Sequence, residues 1–342
     1  MNHKERFYAT IERRPVDYPA SWLGLPVAEA CNDLFDYFRV SDMKALKRIL
    51  GDDVFPVEAP YRHPPANHIA CAFDFAKKDT AYEDRTLTAS GFFENYTDPK
   101  KIDEFEWPVP SEHMSYEECG KAIDAIPEDY AIMAMMWSAH FQDACAAFGM
   151  ETALMKMLTE PEIFRAVIDR ITDFYIDANC IFYEAAKGKI DAVLIGNDLG
   201  TQNGLMISPD LIKEFILPGT RRLVEQARSY GFKVIHHSCG AVFDIIPELI
   251  DIGVDAIHPI QSLARGMNPE KLKEEFGNDV SFCGGVDVQD LLVHGTPDEV
   301  RNKITYLKKL FPTGLIISPS HEAVLPDVKP QNIEAFFNLK NY

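Results

Sequence analysis

No apolar run in this chain of 342 residues approaches the ~18 consecutive positions that a membrane-crossing helix needs. The opening residues, MNHKERFYATIERRP, are charged where a signal peptide would be apolar. These two absences predict a soluble protein that stays in the cytoplasm and has no membrane partner. Positive charge is also scarce: 34 Lys and Arg stand against 53 Asp and Glu, a formal net charge of −19. Binding a phosphate backbone takes clustered cations, so nucleic acid is not an expected partner. A disulfide framework is missing as well, because the seven cysteines are odd in number and widely spaced. There is no Gly-x-Gly-x-x-Gly phosphate loop, no internal repeat and no Gly/Ser linker at which to divide the chain, which predicts a single domain over residues 1–342.

The composition that remains, 46% hydrophobic and 25% charged, suits a globular protein with a sizeable core. The second half alternates short β-branched or apolar runs with longer amphipathic stretches, the pattern of βα units on a parallel sheet. DAVLIGND (191–198), FKVIHHSC (232–239), DAIHPIQ (255–261), VSFCGG (280–285) and GLIISPSH (314–321) are the strand candidates there, nearly continuous apolar runs as expected when helices cover the sheet. PASWLG (19–24), DDVFPVE (52–58) and YAIMAMMW (130–137) bring the number to eight. The reading is an α/β fold, a (βα)8 TIM barrel, with a β-hairpin inserted at about 69–96, where IACAFDFAKKDTAYEDRTLTASGFFENY alternates with period two. Ser208-Pro209, Asn268-Pro269 and Thr296-Pro297 read as helix N-caps followed by proline, with Glu299 completing a capping box. A long helix from Pro161 to about Lys187 is expected to bury Cys180.

Barrel enzymes carry their chemistry at the C-terminal ends of strands. Those ends hold Asp198, then His237 and Cys239, then His258 and Gln261, then Cys283 and Asp287, then His321 and Glu322. On an extended strand His237 and Cys239 share a face, roughly 7 Å apart, so both can reach one metal ion at the barrel mouth. Imidazole and thiolate suit zinc, with a third ligand from a neighbouring strand end, either His321 or Cys283. The alternative is packing, with Cys239 a small hydrophobe and His237 a satisfied core histidine; His236 faces the other way, toward a helix. Asp198 can act as a base, a substrate-orienting acceptor or a helix cap. His63, His68, His113 and His294 read as solvent-exposed loop residues.

The segments GNDLGTQNGLMISPDLIKEFILP, VIHHSCGAVFDIIPELIDIGVDAIHPIQ, FCGGVDVQDLL and SPSHEAVLPDVKPQNIEAF together resemble the uroporphyrinogen decarboxylase superfamily, over almost the whole chain. That group includes tetrapyrrole decarboxylases and zinc-dependent, corrinoid-linked methyltransferases. The methyltransferases have a His-x-Cys at a strand end and a late Cys in a Ser-Pro-Gly-Cys turn. His237 and Cys239 match the pair, while Ser-Pro-Ser-His puts His321 at the late position. The resemblance implies Zn2+ held by His237, Cys239 and His321, with Cys283 the competing third ligand. Asp198, Gln261 and Asp287 would orient a small methyl donor or acceptor, such as a thiol or folate, and Glu322 would fix the His321 ring. The implied partner is a separate corrinoid-binding protein, and a homodimer is left open. The decarboxylases depend on arginines near the first strand, where this chain reads Ser21-Trp22-Leu23-Gly24-Leu25-Pro26-Val27-Ala28-Glu29. Arg13 and Arg14 precede that stretch, in an expected helix. Decarboxylation of uroporphyrinogen is therefore the second reading, and a non-catalytic barrel that only binds is the third.

Overall fold

The computed structural model describes residues 1–62, 68–75, 88–186 and 188–337. Seven strands form one parallel sheet in sequence order: β2 (Val54–Glu58), β3 (Ala131–Trp137), β4 (Ala192–Gly196), β5 (Lys233–His237), β6 (Ala256–Ile260), β7 (Ser281–Val286) and β8 (Leu315–Pro319). A separate parallel pair joins β1 (Leu25–Pro26) to β9 (Ala323–Val324). Alternation along each strand sorts side chains between two cores. In β3, Ala131, Met133 and Met135 point into the barrel, while Ile132, Ala134 and Met136 pack under the helices. The helix α1 (His3–Ile11) inserts Phe7 and Ile11 into the barrel interior beside Cys283 and Ile316.

The expected first strand at 19–24 is a shorter device. Ser21 makes a single parallel bridge to Ile317. The Ile317 N–H donates to Ala20 C=O at 2.8 Å, Trp22 N–H to Ile317 C=O at 3.0 Å, and Asp53 N–H to Ser21 C=O at 3.2 Å. Residues 20–22 therefore bond to both edges of the sheet and close it. Two buried carboxylates hold this seam. Asp53 accepts from Ser21 N–H at 3.0 Å and from the Arg6 guanidinium at 2.6 Å, and meets His3 Nδ1 at 2.8 Å. Asp52 accepts from Leu23 N–H at 3.2 Å and from the buried Lys47 ammonium.

The expected helix is found at Pro161–Ala185, but Cys180 is exposed. The buried stripe runs through Ile171, Tyr175, Ala178 and Phe182, and two residues past Ala178 lies on the opposite side of a helix with 3.6 residues per turn. The three N-caps form as expected: Ser208 accepts from Leu211 N–H, Asn268 from Lys271 N–H, and Thr296 with Glu299 makes the full capping box. Much of the hairpin expected at 69–96 falls on 76–87, outside the described residues. Its flanks are tied by Phe92 N–H donating to Phe75 C=O at 2.8 Å, but they contain a 3-10 turn at Ile69–Cys71 and no named strand. Phe73, Phe75 and Phe93 of these flanks pack with Phe105 and Trp107. His63 also lies outside the described residues.

Removing one partner from a buried ion pair strands the other, at a cost of about 3 kcal/mol or more. Asp53→Ala leaves Arg6 buried with only Asp17 as a carboxylate partner and unties Ser21. The variant is expected to lose about 3 kcal/mol in urea unfolding, whereas Asp17→Ala, at the half-exposed end of the same guanidinium, loses under about 1 kcal/mol. Equal losses in the two variants would show that closure does not rest on Asp53.

Candidate metal and active site

Four strand ends meet at the C-terminal mouth of the barrel. In β5, Ile235 faces inward and His236 outward, so His237 faces in again. Outward His236 is buried against the helix layer with both ring nitrogens unpartnered, and burial pushes its pKa down to about 3. It packs, as expected. Register places His237 level with His258 of β6 and with Gly196 of β4. Gly196 is required here, since a Cβ would sit 1.9 Å from the His237 carbonyl oxygen.

His237 is buried and contacted at both ring nitrogens. Nδ1 lies 2.9 Å from His258 Nδ1, while Nε2 lies 3.2 Å from Asp198 Oδ1 and 3.5 Å from Cys239 Sγ. Burial opposes a charge on this ring, but the hydrogen bonds to Asp198 and Cys239 and the nearby Glu322 carboxylate carry its pKa well above the ordinary value. Asp198 is held well below the usual carboxylate range despite burial, by His237 and by the Cys239 N–H, which donates to Oδ1 at 2.9 Å. Burial and the neighbouring His237 keep His258 neutral, its pKa well below that of free imidazole.

His321 and Glu322 follow β8 in an irregular turn. Ala323 N–H donates to His321 Nδ1 at 3.0 Å, and hydrogen bonding with Cys239 raises the His321 pKa. Glu322 Oε2 stands 3.6 Å from His237 Nδ1 and 3.5 Å from His321 Nδ1. Both distances are too long for good hydrogen bonds, and this oxygen is buried without a hydrogen-bond partner. Among the described residues, three sets of possible ligand atoms lie within 4.8 Å of one another: Asp198, His237 and Cys239; His237, His258 and Glu322; and Cys239, His321 and Glu322. The sets interlock through His237, Cys239 and Glu322. Imidazole, thiolate and carboxylate donors with an orphaned carboxylate oxygen at their centre fit a zinc ion in their chemistry.

The other expected site residues are placed apart. Cys283 lies in the barrel interior, its Sγ 3.3 Å from Ser318 Oγ, and burial pushes its thiol up to about 12. It joins none of the three sets. The Asp287 carboxylate accepts from the N–H groups of Asp290 at 2.7 Å and Leu291 at 2.9 Å, which caps a turn. Gln261 Oε1 accepts from Gly240 N–H at 2.5 Å, so it holds the loop after Cys239. Arg13 and Arg14 follow α1 instead of lying within it, and Arg13 sits beside Gly314 at the opposite end of the barrel from the cluster.

Two contributors had no role assigned from sequence. His258 was visible only as a histidine at a strand end. Trp137 ends β3 where the register slips, and it and Ser138 adopt left-handed backbone at φ 54° and 55°. Such strain persists where the surroundings impose it, often at functional sites. The Trp137 ring meets His237 edge-on, centroids 6.0 Å apart, and its indole N–H is buried without a well-formed hydrogen bond. It stands near Glu58, whose pKa is lowered mainly by His68, 3.2 Å away. His68 is thus paired and partly buried, not a free loop histidine.

Comparison with known proteins bears on the fold and the family. Over 226 residues, 61% of the chain, the sequence is 29% identical to a methylated-thiol–coenzyme M methyltransferase of Methanosarcina mazei. The match takes in 53% of that protein, so the chain spans about half the length of this curated relative. Among solved structures, a methyltransferase from Methanosarcina mazei superposes with a TM-score of 0.71 at 16% identity, covering 100% of this chain and 98% of the other, a likeness of fold. The sequence pattern of uroporphyrinogen decarboxylase (URO-D) matches residues 65–341. That stretch is well over half of the chain and includes every donor of the histidine, cysteine and carboxylate cluster, so the protein belongs to the uroporphyrinogen decarboxylase (URO-D) family.

Proposed function

We propose that this protein is a zinc-dependent methyltransferase. It moves a methyl group between a small methylated substrate, or a thiol or folate acceptor, and a corrinoid carried by a separate protein. The observation that carries this reading is that three interlocking sets of donors, which share His237, Cys239 and the orphaned Glu322 oxygen and include His321, lie side by side at the barrel mouth. The name of the Methanosarcina relative supports the reaction class. Zinc held there would supply a Lewis acid that lowers the pKa of a thiol or polarises a methylated heteroatom.

The chain's own residues prepare that site. The 2.9 Å contact between two Nδ1 atoms accommodates one proton, because two facing N–H groups repel. With one proton on His237 Nδ1 and His258 accepting it, Nε2, directed toward Asp198 and Cys239, is the nitrogen that would offer a lone pair to a metal ion on losing its own proton. Asp198 orients Cys239 through its backbone N–H, and Gln261 does the same for Gly240. Trp137 walls the far side of His237 and excludes water from it.

Uroporphyrinogen decarboxylation is disfavoured by the same mouth. Its substrate carries many carboxylates, and desolvating them without cations is costly. Among the described residues, the cleft beside His321 is lined by Asp287 and Asp327 and by no Lys or Arg.

Metal analysis of protein isolated without chelator and given excess zinc is expected to find about one zinc per chain. His237→Ala and Cys239→Ala should each abolish this. In chelator competition, His321→Ala should lose most of the affinity while Cys283→Ser keeps it, since Cys283 faces Ser318 and not the cluster. Absence of bound zinc in the unaltered protein would end this mechanism, and the reverse ranking of His321 and Cys283 would move the third ligand into the barrel interior. Anaerobic incubation with uroporphyrinogen, followed by product chromatography, is expected to give no stepwise loss of carboxylates. Appearance of seven-, six- and five-carboxylate products would instead establish the decarboxylase reading.

A further inference from the structure

A cleft of about 380 Å3 opens beside His321 between the ends of β6, β7 and β8. Its wall contains the amides of Gln202, Gln261 and Gln289, and the exposed side chains of Leu263 and Leu325 flank it. Gln261 uses its oxygen on Gly240 N–H, which leaves its NH2 group as the donor end. Ser320 Oγ is engaged by Val288 N–H at 3.1 Å. The lining's formal charges are the carboxylates of Asp287 and Asp327, and His321 is its one imidazole. Lys303, whose charge reaches Asp287, is not part of the wall. Behind His321 stand two more carboxylates, Glu322 and Asp198. A divalent ion at the cluster would be balanced by these and by the Cys239 thiolate, so the described residues of the cleft offer an anion no net attraction.

Resting on the methyl-transfer reading above, we propose that this cleft is its small-substrate subsite. It takes an uncharged thiol, or the corresponding methyl thioether, with a short hydrogen-bonding tail, and it discriminates against anionic ones. The sulfur end lies toward Cys239 and His321. The tail lies among the glutamine amides, which donate to and accept from hydroxyl or amide groups without a formal charge, and the two leucines cover its methylene carbons.

Isothermal titration of the zinc-loaded protein with three thiols of one size tests this: 2-mercaptoethanol, 2-mercaptoethylamine and 2-mercaptoethanesulfonate. The alcohol is expected to bind at least about tenfold more tightly than the sulfonate. A Gln289→Arg, Asp327→Lys double variant changes two exposed wall positions and should bring that ratio to within about threefold. Comparing the ratio between proteins cancels the different acidities of the thiols. Sulfonate binding as tightly as the alcohol, the amine binding most tightly, or a ratio unmoved by the added cations would overturn the subsite while leaving methyl transfer standing. Failure of all three thiols to bind the zinc-loaded protein would instead remove the methyl-transfer reading, and the subsite with it.

Discussion

Closure of this barrel depends on two adjacent buried carboxylates, Asp52 and Asp53, at the start of β2. A conventional first strand would bond along its length to both neighbours. Here residues 20–22 make only a few backbone bonds, and Asp53 adds acceptors for the Ser21 N–H and hydroxyl, while Asp52 takes the Leu23 N–H. Arg6 and Lys47 compensate the two charges, and through Arg6 the seam is tied to α1. Buried ion pairs gain little over a well-packed apolar contact, but they fix geometry and are costly to break. The seam sets where β8 lies relative to β2. That in turn sets where the turn after β8 brings His321 and Glu322.

From the closed sheet, the cluster follows by register. His237, His258 and Gly196 are level across three adjacent strands, and alternation points His237 inward. Close approach at Gly196 lets the β4 end pass over the His237 carbonyl, with Asn197 N–H donating to it at 3.1 Å. Asp198 then reaches Cys239 and His237 from one side, and Glu322 reaches His237 and His321 from the other. The strain at Trp137 and Ser138 fits the same account, because a regular end to β3 would not turn the indole toward His237.

Local signals carried much of this into the sequence. Seven strands, the three capped helices and the inward pairing of His237 with Cys239 follow from periodicity, capping chemistry and the two-residue repeat of a strand. What escaped depends on partners distant in sequence. His258 gains its importance from the 2.9 Å approach of His237, which no spacing encodes. The orphaned oxygen of Glu322 is visible only once β5 and the turn after β8 are assembled. Cys283, two residues inside its strand by sequence, lies in the barrel interior with its thiol facing Ser318, a depth that only the assembled barrel displays.

The electrostatics of the cluster explain why these donors can coexist in a protein with net charge −19. Each carboxylate at the cluster has a histidine beside it: Asp198 has His237, and Glu322 lies between His237 and His321. Asp198 is about half exposed and Glu322 mostly enclosed, and His237, with its raised pKa, supplies positive charge between them where donor sets overlap. That proton lies between Nε2 and Asp198, on the nitrogen directed at Cys239. A metal ion bound by the same nitrogen would take over the proton's electrostatic role and also bring the otherwise unpartnered Glu322 oxygen within its field. The cluster is thus arranged around a positive charge before any substrate is considered.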